Sequence, residues 1–117
     1  MQEQNQLVDL SQIDQISAGD PSFRNEMIGI FTGQIPVFLE NIRTFWKNKE
    51  LENLAREVHT AKSSVLIFGM DNTGKNLKEI QLLAENKEIK KIPELVENVL
   101  NDLTQALTYL NGLLNSK

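Results

Sequence analysis

The residue with the clearest chemical potential in this sequence is His59, the single histidine of a chain that contains no cysteine. A neutral imidazole carries a free lone pair near pH 7, so it is a competent phosphoryl acceptor. On a helix, residues three and four positions away share one patch of surface. For His59 that patch contains the cations Arg56 and Lys62 and the small residues Ala55 and Ser63. The small residues would leave the ring accessible, and either cation could offset the charge of a phosphoryl group.

The helix that carries His59 is predicted to point the imidazole away from the core. Its apolar residues alternate steps of three and four positions: Leu51, Leu54, Val58, Ala61, Val65 and Phe68. A helical wheel places His59 about 130° from the centre of this apolar arc. Leu66, one further turn along, would offer an apolar contact beside the ring. A lone histidine on a helix is commonly an ordinary surface residue, so this pattern alone leaves its role open.

Composition limits the classes of function that the chain can have. With 117 residues, 40% of them hydrophobic, it fits a single domain with one core. The net charge of −4 argues against nucleic acid as a partner. No apolar stretch approaches the roughly 18 residues of a membrane span, and the polar residues 1–6 do not resemble a signal peptide. We therefore expect a cytoplasmic protein that does not insert into membranes.

Helix signals recur from the N-terminus onward. Ser11 is predicted to cap a short first helix that ends at Ser17. Asp20-Pro21 then combines a capping carboxylate with a proline at the first helical position, which predicts a second helix to about Lys47. Pro36 lies inside this helix and is expected to kink it. The predicted core stripe of the second helix is Phe23, Met27, Ile30, Gln34, Phe38, Ile42 and Phe45.

Three further helices are predicted in the rest of the chain. The histidine helix begins after Asn48 and stops at Gly69, a fourth is capped by Asp71, and Pro93 opens the last. Four long helices with short connections favour an all-α fold, an antiparallel four-helix bundle with the short N-terminal helix as a cover. We expect one domain over residues 1–117, with its core at about residues 8–114.

The stretch His59-Thr60-Ala61-Lys62-Ser63-Ser64, followed by Gly69, resembles the signature of the histidine-containing phosphotransfer (HPt) family. In that signature the histidine is followed three positions later by lysine, then by a small residue, and ten positions later by glycine. The turn Ala18-Gly19-Asp20-Pro21 also resembles the family's entry into its second helix. This resemblance covers roughly residues 8–114. The chain departs from the family's commonest pattern at Ser63, where glycine is most usual, and at Ala61, where leucine is most usual.

The resemblance implies a function and assigns roles to residues. His59 would be the phosphoacceptor of a phosphorelay in two-component signalling, accepting from one receiver aspartate and donating to another. Lys62 would stabilise the phosphoryl charge, Gly69 would be structural, and no cofactor or metal is implied. The partners would be receiver domains of response regulators or hybrid histidine kinases. The sequence contains no glycine-rich nucleotide-binding boxes, which agrees with a phosphohistidine carrier that lacks ATP-dependent kinase activity of its own.

A docking surface for the receiver is predicted around His59. It comprises Ala55, Arg56, Ser63 and Leu66, together with apolar residues of the second helix such as Ile28 and Phe31.

Three alternatives remain beside the phosphorelay. One is an adaptor of the same fold that binds and sequesters response regulators without exchanging phosphate. A metal or haem bundle is a second, but the usual Glu-x-x-His pairs are absent, since Arg56 stands three residues before His59. A hydrolase that uses Ser63 or Ser64 is the third, and it would need a positioned acid and oxyanion donors besides.

Overall fold

The computed structural model describes residues 7–115, and this part of the chain contains five helices and no strand. The helices are α1 (Ser11–Ser17), α2 (Pro21–Lys47), α3 (Leu51–Ile67), α4 (Asp71–Glu85) and α5 (Ile92–Asn115). The predicted all-α class is therefore confirmed. The polar residues 1–6 lie outside the described part, and none of the five helices is long and apolar enough to cross a membrane.

The four long helices pack around one hydrophobic core. Helix α2 packs against α3 and α5, α4 packs against the same two helices, and α1 packs on α2. Four of the predicted core residues of α3 are buried, namely Leu54, Val58, Ala61 and Val65. This packing fixes α3 between α2 and α4, so the solvent-facing side of α3 is bordered by both neighbours.

Two aspartates accept hydrogen bonds at the starts of α1 and α2, and only the one at α2 was predicted to do so. Asp20 caps α2 as predicted, because its Oδ1 accepts from the backbone N–H groups of Ser22 and Phe23 at 3.0 and 3.3 Å. The predicted cap at Ser11 is wrong: Ser11 is the first helical residue, and Leu10 at the N-cap makes no side-chain cap. Instead Asp9 Oδ1 accepts from Ser11 N at 2.9 Å and from Ser11 Oγ at 2.6 Å, since a short carboxylate reaches backbone N–H groups two residues on. These hydrogen bonds lower the pKa of Asp9.

Asp71 is not an N-cap either. It is the first residue of α4, and Met70 occupies the N-cap position without a side-chain hydrogen bond. Met70 is buried, so the chain enters α4 through an apolar anchor. An aspartate in the first helical turn still lies favourably near the positive end of the helix dipole.

The buried face of α2 agrees with the predicted stripe at Phe38 and Ile42 and differs from it in the N-terminal half of the helix. The core residues are Ile28, Phe31, Ile35, Phe38 and Ile42, whereas Phe23 and Ile30 are 43% and 59% exposed. The N-terminal half of α2 carries apolar residues on two faces, and spacing alone does not tell which face meets the core. The proposal that Ile28 and Phe31 form an exposed docking surface is therefore wrong. Phe31 instead stacks on Phe68, with ring centroids 4.4 Å apart.

The turn that ends α3 requires a glycine for two reasons. Gly69 has φ +71°, a left-handed conformation that disfavours residues with a Cβ. A Cβ at Gly69 would also lie 2.5 Å from both the Cβ and the carbonyl oxygen of Asp9. The segment before α1 crosses this turn closely, and Asp9 N donates to Phe68 O at 3.0 Å. The N-terminal segment thus packs on the end of the histidine helix.

Candidate functional site

His59 lies in the middle of α3 with its side chain exposed, as its position outside the apolar arc predicted. The neighbouring core residues Val58 and Ala61 are fully buried, so the backbone that carries the imidazole is anchored on its inner side. Ser63, one turn further on, is exposed as well. Its small side chain leaves the space above the ring open.

The Nδ1 atom of His59 lies 3.2 Å from Oε1 of Gln81 on α4. Gln81 Nε2 in turn donates to Oε2 of Glu85 at 3.0 Å. The Nε2 atom of His59 makes no hydrogen bond within residues 7–115. One ring nitrogen is thus held by a neighbouring helix while the other is free to meet a reactant.

Sequence reasoning missed Gln81 and Glu85. Gln81 is 22 positions from His59 along the chain, and only the packing of α4 against α3 brings the two together. The one usable signal is the four-residue spacing of Gln81 and Glu85, which places them on one face of a helix. That spacing does not reveal which helix the face meets.

Lys62 and Leu66 lie at the same α3–α4 border as His59. They line a surface cavity of about 510 Å³ together with residues of the first half of α4: Asp71, Asn72, Gly74, Lys75 and Lys78. Leu66 is 39% exposed, which agrees with its predicted availability to a partner. A Cβ at Gly74 would lie 2.6 Å from Leu66 Cδ2, so Leu66 rests directly on α4 where that helix has no side chain.

The lysines of this cavity carry charge that the fold does not neutralise. Among the described residues the only ion pair joins Arg24 on α2 to Asp14 on α1, and neither residue lines this cavity. Within residues 7–115, the ammonium groups of Lys62, Lys75 and Lys78 therefore have no carboxylate partner, although the net charge of the chain is −4. This border is locally basic and can attract an anionic group.

A second cavity, of about 910 Å³, opens on the other side of His59. His59, Gln81 and Glu85 line it along with Ala55 and Arg56, two residues of the predicted docking surface. Arg56 is exposed, and its Nη2 donates to Asn53 Oδ1 at 3.3 Å. Ala55 is only 7% exposed because α4 packs beside it, so its prediction as a surface residue needs correction. It forms part of the cavity floor.

On its other flank α3 is joined to α2 by two side-chain hydrogen bonds. Ser64 Oγ donates to Gln34 Oε1 at 3.1 Å, and Asn41 Nδ2 donates to Glu57 Oε2 at 3.0 Å. Three exposed apolar residues follow a seven-residue spacing on the face of α2 that also carries Gln34 and Asn41, and we call them the α2 stripe: Phe23, Ile30 and Val37. Ile30 and Val37 lie within one helical turn of Gln34, so the stripe borders the outer face of α3.

Metal binding has no support in residues 7–115, where no group of three or more His, Cys, Asp or Glu side chains is arranged to hold an ion. Ser63 is exposed, and Ser64 donates its hydroxyl to Gln34 rather than to His59. The described residues around His59 thus offer an accessible imidazole, unpaired ammonium groups and apolar surface.

This combination of fold and site agrees with a match to known proteins. The family model of the Hpt domain matches residues 26–110, and the chain therefore belongs to the Hpt domain family. Members of this family have a phosphotransfer role in two-component signalling. The predicted family resemblance is confirmed.

A solved structure is also similar. The crystal structure of histidine-containing phosphotransfer protein B (HptB) from Pseudomonas aeruginosa PAO1 matches with a TM-score of 0.86. The match covers 97% of this chain and 99% of that chain at 12% sequence identity, so it is a likeness of fold. A search of curated proteins gives no match.

Proposed function

We propose that His59 accepts a phosphoryl group from the aspartyl phosphate of one receiver domain and donates it to the aspartate of another. The observation that carries this proposal is the state of the two ring nitrogens: Nδ1 lies against Gln81 Oε1, and Nε2 has no partner among the described residues. Family membership supplies the phosphoryl chemistry, and the exposed ring supplies the access that a partner's active site needs.

The transfer needs little from this chain beyond a positioned nucleophile and charge compensation. The lone pair of His59 attacks phosphorus, a P–N bond forms, and the P–O bond to the receiver carboxylate breaks with its electron pair going to that carboxylate. In the donating direction a second receiver carboxylate attacks, and the P–N electron pair returns to the ring. No ATP takes part in either step, so the chain acts as a carrier rather than a kinase.

Lys62 is the proposed charge-compensating residue. It lies one turn after His59 on α3, and its ammonium has no ion-pair partner among the described residues. A phosphoryl group adds a charge of about −1.5 to −2, which a nearby ammonium stabilises. Lys75 and Lys78 extend this basic border and favour approach of the carboxylate-rich mouth of a receiver.

The proposed docking surface surrounds the ring on three sides. Arg56, Ser63 and Leu66 remain from the surface that the sequence predicted, and the α2 stripe takes the place of Ile28 and Phe31. The stripe is apolar and uncharged, while the α3–α4 border is basic. A receiver would thus bury apolar area against α2 and place its anionic phosphoryl group beside Lys62.

The four long helices would form an antiparallel bundle covered by α1, since α2, α3 and α4 follow one another through connections of three residues. Residues 1–117 would make one domain that works in the cytoplasm, and Gly69 would be a structural residue that holds the end of α3.

The test is a two-stage transfer experiment with purified receivers. A receiver labelled on its aspartate is mixed with this chain, and a second, unlabelled receiver is then added. We expect label to move to the chain and onward to the second receiver, and we expect neither movement with His59→Gln. Tight receiver binding without any label on the chain would contradict the relay and favour the sequestering adaptor.

A further inference from the structure

The hydrogen-bond chain from Glu85 through Gln81 to His59 has a defined direction. An ionised carboxylate can only accept hydrogen bonds, so the group that Gln81 presents to Glu85 must be its NH₂. The observed 3.0 Å contact between Gln81 Nε2 and Glu85 Oε2 has this arrangement. In the opposite orientation the amide oxygen would face a carboxylate oxygen, with no proton between them. Glu85 therefore turns the amide oxygen of Gln81 toward the histidine.

The orientation of the amide in turn selects a tautomer of the imidazole. A neutral imidazole has one N–H donor and one acceptor nitrogen, and the hydrogen bond at one nitrogen determines where the proton resides. Gln81 Oε1, which can only accept, lies 3.2 Å from His59 Nδ1. The proton is thus drawn to Nδ1, and the lone pair is left on Nε2.

We infer that Glu85 is a positioning residue which, by orienting Gln81, holds His59 in its Nδ1–H tautomer and reserves Nε2 as the phosphoryl acceptor. Glu85 does not touch the reacting atoms, and its effect passes entirely through the Gln81 amide. The four-residue spacing of the pair on α4 keeps both groups on the face that meets α3. The meaning of this effect for phosphotransfer rests on the proposed role of His59, whereas the tautomer itself is a property of the free protein.

The expected size of the effect is that of one hydrogen bond in a partly exposed site. Such a bond shifts an equilibrium by roughly two- to tenfold. Removal of Glu85 should therefore lower the ratio of Nδ1–H to Nε2–H tautomer by this factor. Replacement of the Glu85 carboxylate by an ammonium group in Glu85→Lys should lower the ratio further. The Gln81 amide would then turn its oxygen toward the ammonium and offer its NH₂ to the ring.

The chain suits a direct measurement because His59 is its single histidine. Protein labelled with ¹⁵N in histidine is examined by long-range ¹H–¹⁵N correlation at about pH 8.5, well above the ordinary pKa of the imidazole. The ¹⁵N shifts of the two ring nitrogens report the tautomer ratio. Wild type should give mainly Nδ1–H, Glu85→Ala an intermediate ratio, and Glu85→Lys mainly Nε2–H.

Two controls separate this effect from charge and from general disturbance of the fold. Glu79→Lys makes the same change of charge on an exposed position of α4 without touching the amide, and it should leave the ratio unchanged. The double variant Gln81→Glu with Glu85→Lys should restore the Nδ1–H tautomer. The carboxylate at position 81 can only accept, so the ring regains an acceptor at Nδ1 although the introduced lysine is still present. Recovery of the tautomer shows that the loss in Glu85→Lys arises from the amide orientation and not from disturbed packing around His59.

An unchanged ratio in Glu85→Lys, or equal shifts in Glu85→Lys and Glu79→Lys, would overturn the inference. Transfer of label from a receiver is measured on the same variants. Label on wild-type His59 together with an unchanged tautomer ratio would defeat the inference alone, while absence of label together with the expected tautomer shifts would defeat the proposed function alone.

Discussion

Gly69 gives a quantitative test of how the end of the histidine helix is held. In Gly69→Ala the new Cβ would stand in a left-handed conformation, which costs about 1–2 kcal/mol for a residue with a side chain. The same Cβ would meet Asp9 at 2.5 Å, so the N-terminal segment must move away. That movement loses the Asp9 N to Phe68 O hydrogen bond, about 0.5–1.5 kcal/mol, and part of the burial of Val8. The free energy of unfolding should therefore fall by about 3–5 kcal/mol in total.

Gly19→Ala is the matched control, because Gly19 has φ +82° but no atom within 4 Å of a Cβ built there. In Gly19→Ala the free energy of unfolding should fall only by the cost of the left-handed conformation, about 1–2 kcal/mol. Urea denaturation followed by circular dichroism and by the fluorescence of Trp46 gives both values. Equal losses in the two variants would show that the contact with Asp9 contributes nothing. The explanation of Gly69 as a packing requirement would then be refuted.

Three further perturbations test the site and the fold. Lys62→Ala should slow phosphoryl acceptance roughly tenfold in a transfer assay, whereas Lys90→Ala, in the exposed connection before α5, should not; equal rates would remove Lys62 from the mechanism. Ile30→Asp should weaken receiver binding about tenfold in calorimetric titration and change unfolding by less than about 0.5 kcal/mol; unchanged affinity would place the docking surface elsewhere. Thr73→Val should destabilise the fold by about 1–3 kcal/mol in urea denaturation, because the buried hydroxyl donates to Asp102 at 2.9 Å; no loss would make that hydrogen bond dispensable.

Local sequence signals predicted the structure correctly where residues close together along the chain determine it. The Asp20-Pro21 pair predicted the start of α2 because capping depends on residues two and three positions on. The exposure of His59 followed from the apolar arc of α3, whose inner residues are buried as expected. The order and approximate bounds of all five helices followed from such signals.

Prediction failed where packing between helices decides the outcome. The N-terminal half of α2 has apolar residues on two faces, and only contact with the rest of the core selects Ile28 and Phe31 over Phe23 and Ile30. Gln81 was missed for the same reason, since its partner on α3 is remote in sequence. Ala55 was assigned to the surface because a single helix does not reveal that α4 covers it. These errors shared a cause, and they changed the residues proposed for docking without affecting the predicted exposure of His59.

If His59 carries the phosphoryl group, the chemical stability of the label will show that phosphorus is bound to nitrogen. Wild-type chain and His59→Gln are each incubated with a phosphorylated receiver, separated from it, and exposed to acid or to base. We expect label on the wild type alone, lost in acid and retained in base, as a phosphorus–nitrogen bond requires. Label that persists in His59→Gln, or that survives acid, would place the phosphoryl group on another residue and refute the role proposed for His59.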